Sequence, residues 1–91
     1  MTIELFVRKE DAEKYCEKLS HIFPYRVVKV KVIHPTGEMR VYEDYKSCKV
    51  IDAVKGAEYY TVIPAKIENK YDKEYIEKLE TGEIGLKIIE E

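Results

Sequence analysis

The order of patterned segments predicts a single compact α+β domain over residues 1–91. Three observations carry this reading. Residues 2–7 alternate apolar and polar side chains and then give way to helical spacing from Asp11. Four β-rich runs follow, grouped in pairs around short glycine-bearing connectors, and a second helical segment precedes a last apolar run. Strand, helix, strands, helix, strand is the outline of a ferredoxin-like two-layer sandwich, β-α-β-β-(β-β)-α-β, with a mainly antiparallel sheet and both helices on one face. The alternative is a strongly curved half-barrel sheet wrapped around the first helix.

Each element has a local justification. In residues 2–7, Ile3, Leu5 and Val7 fall on one side of a short strand and Glu4 and Phe6 on the other. Ala12, Tyr15, Cys16 and Leu19, with Ile22 or Phe23, follow the i, i+3, i+4, i+7 spacing of an amphipathic helix that Pro24 brings to an end. Residues 25–33 and 39–45 flank His-Pro-Thr-Gly-Glu and predict a hairpin, with Gly37 supplying a positive φ. A loop at Thr36 and Gly37 sets Val32 against Val41, Val30 against Glu43, Val28 against Tyr45 and Lys31 against Tyr42. Residues 48–54 and 58–67, around Lys55-Gly56-Ala57, predict a second hairpin, with Pro64 placing the latter run at an edge or a bulge. Asp72 reads as the N-cap of a helix over 73–81, with Tyr71 and Ile76 as its hydrophobic staple and Gly82 as its C-terminal stop. Residues 84–89 predict the final strand.

Composition limits the functional classes. Scaling of surface with mass removes about 65% of the unfolded chain's area from water for a protein of this size, enough for one modest core. With 45% hydrophobic and 37% charged residues, 4 Gly and 3 Pro, the chain is neither collagen-like nor wholly disordered. A net charge of -2 gives no whole-molecule attraction to nucleic acid or to an anionic membrane. The distribution is uneven, however: residues 24–49 carry six basic and three acidic side chains, residues 68–91 four and eight. A patch in the middle of the chain is therefore where an anion would be met. The opening residues lack the basic and apolar regions of a signal peptide, and no apolar run is long enough to span a bilayer, so a cytoplasmic location without membrane attachment is expected. An absence of Gln and Trp, a single Asn, and abundant Lys, Glu, Ile and Val point to a thermophilic source.

The proposed open face of the first hairpin is the most informative candidate site. Tyr25, Lys29, Lys31, Arg40, Tyr42 and Lys46 combine cations with flat rings, the chemistry that holds a phosphate backbone and stacks bases. The plainer reading is a solvated sheet face, diluted by Asp44. Of the eight tyrosines, Tyr15, Tyr45, Tyr71 and Tyr75 fit core-facing positions. Tyr59 and Tyr60 are less easily buried and are candidates for a protein interface. Cys16 on the helical stripe reads as core packing, and Cys48 has no marked partner. With His21 and His34 they lack metal-ligand spacing, so no metal and no cofactor is expected. Glu43, turned inward by the proposed register, would be the one unusual carboxylate. No phosphate loop or catalytic motif is present, so an enzyme is not indicated. The sequence thus points to a small non-catalytic binding or interaction module acting as a homo-oligomer, most simply a homodimer. The alternative is a binder of single-stranded nucleic acid.

Overall fold

The structure is a computed structural model that describes residues 2–90. Eight elements follow one another: β1 (Ile3–Phe6), α1 (Lys9–Leu19), β2 (Tyr25–Val32), β3 (Met39–Asp44), β4 (Lys49–Ile51), β5 (Glu58–Pro64), α2 (Lys70–Thr81) and β6 (Leu86–Glu90). The strands form one six-stranded sheet in the order β4-β3-β1-β5-β2-β6. The class is α+β, and the sheet is mixed: β1 runs parallel to β3, and every other neighbouring pair is antiparallel.

Neither expected hairpin forms: β2 and β5 take long-range partners, and β4 pairs with β3 instead of with β5. β2 lies between β5 and β6, so Val30 opposes Tyr59 and Ile88, and Lys31 opposes Glu58 and Lys87. β3 lies between β1 and β4, and the predicted oppositions of Val32, Val30, Val28 and Lys31 with Val41, Glu43, Tyr45 and Tyr42 do not form. The connector between β2 and β3 is tied elsewhere. Glu38 O accepts from Ile3 N at 2.7 Å, and Gly85 O accepts from Ile33 N at 2.7 Å and His34 N at 3.1 Å. These bonds bind the connector to the first residue of β1 and to the turn before β6, and Gly37 does not adopt a positive φ. The tight hairpin is β3–β4, where Cys48 takes φ 58° and its N–H reaches Tyr45 O at 3.2 Å. β5 is an interior strand; Pro64 is accommodated because it ends the strand, opposite Tyr25.

Strand alternation determines what each face buries, whichever strand is the neighbour. Ile3, Leu5, Val28, Val30, Val32, Met39, Val41, Tyr59, Ile63 and Leu86 form one cluster, closed by Ile76 and Leu79 of α2. Phe6 points the other way, is fully buried, and meets Tyr15 of α1 at 5.3 Å between ring centroids. The helices therefore cover opposite faces of the sheet, in place of the expected two layers, and the main core is closed by α2 rather than wrapped around α1. α1 ends at Leu19, before Pro24, leaving Ile22 84% exposed. α2 is capped by Asn69, whose Oδ1 accepts from Asp72 N at 3.0 Å, one turn earlier than Asp72 itself would cap it. Tyr71 is 83% exposed and makes no staple, whereas Gly82 provides the left-handed stop with φ 79°.

Candidate interaction surface

On the α1 side of the sheet, α1 divides the surface into two regions. Over β1 and β3, the rings of Phe6, Tyr15, Tyr42 and Tyr45 form a closed cluster with centroid separations of 5.3 to 5.8 Å. Phe6 and Tyr42 are stacked, and the remaining pairs are tilted or edge-on, the arrangements the ring quadrupoles favour. Lys18 Nζ lies 5.6 Å from the Tyr45 ring centroid. Buried Asp11 secures the rim: its Oδ2 accepts from Tyr45 N at 3.2 Å and lies 3.8 Å from Arg8 Nε. Burial, followed by the nearby Glu4 carboxylate, raises the Tyr15 hydroxyl above its ordinary pKa. Burial raises Tyr42 as well, against the opposing hydrogen bond from Arg40. Beside these rings, Glu4 places Oε1 3.9 Å from Arg40 Nη1, while its Oε2 is buried without a hydrogen-bond partner among the described residues.

The second region lies beyond α1, over β2 and β6. An open groove of about 590 Å³ runs between the helix and β2, with Val27 and Cys16 in its lining and Glu10, Glu13 and Glu17 along its helical wall. Farther along the same face, Lys31 and Lys87 stand directly opposite one another on neighbouring strands and are both exposed. Among the described residues neither lysine makes an ion pair, nor does any of the three groove glutamates. Ile89, adjacent on β6, is 44% exposed. β6 is also an edge of the sheet, and among the described residues no other strand pairs with its outer side.

Against this geometry the predicted site residues separate. Tyr25, Lys29 and Lys31 belong to β2 and Arg40 and Tyr42 to β3, with β1 and β5 between them and α1 above. They form no continuous hairpin face. Lys29 pairs with Glu58 at 3.3 Å and lies 5.7 Å above the Tyr60 ring; the hydrogen bond to Glu58, then Tyr60, holds its ammonium above the usual pKa. Arg40 is engaged by Tyr42 and Glu4. Lys46 is exposed in the β3–β4 turn. Tyr59 is a core residue whose hydroxyl oxygen accepts from Val54 N at 3.3 Å, whereas Tyr60 is half-buried beneath Lys29. Glu43 does not turn into the core: it pairs with Lys49 at 3.2 Å.

No family model, no curated protein and no solved structure matches this chain. Its reading rests on the surface itself. The sequence reading missed Glu10, Glu13 and Glu17, although their i, i+3, i+7 spacing marks one helical face. Asp11 was hidden for a different reason, since a first-turn acid is ordinarily a solvent-exposed complement to the helix dipole. Among the described residues no helix is long and apolar enough to cross a membrane.

Proposed function

We propose that this chain is a non-catalytic protein-interaction module that works as a homo-oligomer, most simply a dimer. The observation that supports this reading is the uncovered half of the α1 face. It offers an open groove, the exposed Ile89 and unpaired charges of both signs, next to the free edge of β6. A free antiparallel edge beside apolar surface is a feature that small domains cover by association. The competing reading, single-stranded nucleic acid, calls for free cations beside stacking rings. Lys29 and Arg40 are already engaged by Glu58 and Glu4, and the β2 and β3 tyrosines lie apart, which favours a protein partner. Sedimentation velocity over tens to hundreds of micromolar tests the proposal. A concentration-dependent dimer is expected, and a monomer throughout overturns the reading.

A further inference from the structure

Building on that homo-oligomeric reading, we infer that two copies associate through their α1 faces, with the acidic flank of each α1 seated over the lysine pair of the other. The occupant is set by charge. Glu10, Glu13 and Glu17 form a mainly acidic row, interrupted by Lys14, and Lys31 and Lys87 form a cationic pair in which Lys31 also faces Glu58 of β5; among the described residues none of these three glutamates or two lysines makes an ion pair. Both sets lie on the same side of the sheet, the glutamates along the helical wall of the groove and the lysines farther along β2 and β6.

Like charges directly opposite on neighbouring strands repel, so Lys31 against Lys87 is a local cost in the isolated chain, offset only in part by Glu58, which faces Lys31 from β5 but pairs with Lys29. A carboxylate supplied from outside removes it. The spacing is suitable: Glu13 and Glu17 are separated by about 6 Å along the helix, and opposed strand side chains by about 5 Å. One patch carrying both signs is what a two-fold axis requires, since the same surface must serve as both halves of the interface. The groove beside α1 and the exposed Ile89 supply apolar area next to the charges, and docking covers both.

Charge reversal tests this arrangement in the full chain. Lys31→Glu/Lys87→Glu sets acid against acid, and Glu13→Lys/Glu17→Lys sets base against base. Each double variant should raise the dimer dissociation constant by at least about tenfold while circular dichroism shows an unchanged fold. Mixed together, the two variants should form a heterodimer, because both of its symmetry-related contacts are again of opposite sign. Wild-type association should weaken as salt rises. A wild-type dimer with both double variants still dimeric overturns this interface while leaving the homo-oligomeric reading intact. Failure of the mixed variants to associate, when each alone is a folded monomer, also overturns it. A wild-type monomer at every concentration removes the reading on which the interface rests.

Discussion

Replacing Gly85 by alanine should be among the most damaging single-methyl additions this chain can receive. Gly85 precedes β6 with φ +91°, and a Cβ there would run into the His34 carbonyl oxygen and approach Met39 Cε to 3.1 Å. The first obstacle is backbone, which cannot rotate away as a flexible side chain does. Gly85 O also accepts from Ile33 N and His34 N, so relief of the clash pulls on two hydrogen bonds. A left-handed backbone costs a non-glycine residue roughly 1–2 kcal/mol. Weakening two backbone hydrogen bonds adds about 1 kcal/mol each. The expected loss is thus about 3–4 kcal/mol, which at about 1 kcal/mol per molar urea shifts the unfolding midpoint by about 3 M. Gly56 provides the internal control: its φ is +84°, but nothing lies within 4 Å of an added Cβ. Gly56→Ala should therefore carry only the backbone cost, about 1–2 kcal/mol. Urea midpoints of the two variants decide the matter. If Gly85→Ala costs no more than Gly56→Ala, the connector between β2 and β3 does not lie against Gly85, and the bend of the chain there has been misassigned.

Val30→Asp should destabilise by more than about 4 kcal/mol, since Val30 is fully buried in the cluster closed by α2, whereas Lys31→Ala should change stability by less than about 0.5 kcal/mol. Guanidinium midpoints in the reverse order would contradict the assignment of faces on β2. Asp11→Ala should cost about 2–3 kcal/mol, because it orphans Tyr45 N and detaches the start of α1 from the end of β3, and Asp11→Asn should cost less. Equal midpoints for wild type and Asp11→Ala refute that role. Burial raises the pKa of Tyr75, Tyr15 and Tyr42 above the ordinary 10.0. Their contribution to stability is fully present below pH 10 and is lost as pH rises through the folded-state values. Stability measured from about pH 9 to about pH 11.5 should fall, and Tyr75→Phe should flatten the decline; an unaltered decline in that variant rules out its part.

The elements of this fold are readable from local sequence, and their partners are not. Val28, Val30 and Val32 declare a buried face by alternation alone, and they bury it against β5 and β6 as they would against any neighbour. The expected β2–β3 pairing came from Gly37 and the short connector, yet turn composition says nothing about competing long-range partners. The turn that does close a hairpin places Cys48, a residue type with no preference for positive φ, at φ 58°. The α2 cap was displaced by one turn because Asn69 and Asp72 are both capable caps, and Asp72 instead supplies the N–H that Asn69 receives. The basic tyrosine-bearing face failed with the hairpin that had assembled it. The groove and its acidic wall emerged only once α1 was placed over β2, a tertiary fact that helical spacing alone does not contain.

The position of β1 has a consequence for how the sheet comes apart. β4 and β3 make one local unit, and β5, β2 and β6 make another, and among the described residues the two units meet in the sheet only through the four residues of β1. β1 holds the first unit by four paired positions and the second by one, Phe6 with Tyr60, supplemented by the Thr61 hydroxyl on Glu4 O at 2.8 Å. The β1–β5 boundary is therefore the natural line of partial opening, with amides of β2 exchanging only in global unfolding and those facing the seam exchanging sooner. Because β3 precedes β5 in the chain, the firm side of β1 can pair first and the weak side only afterwards, so the β1–β5 seam joins a β4–β3–β1 unit that can already be formed.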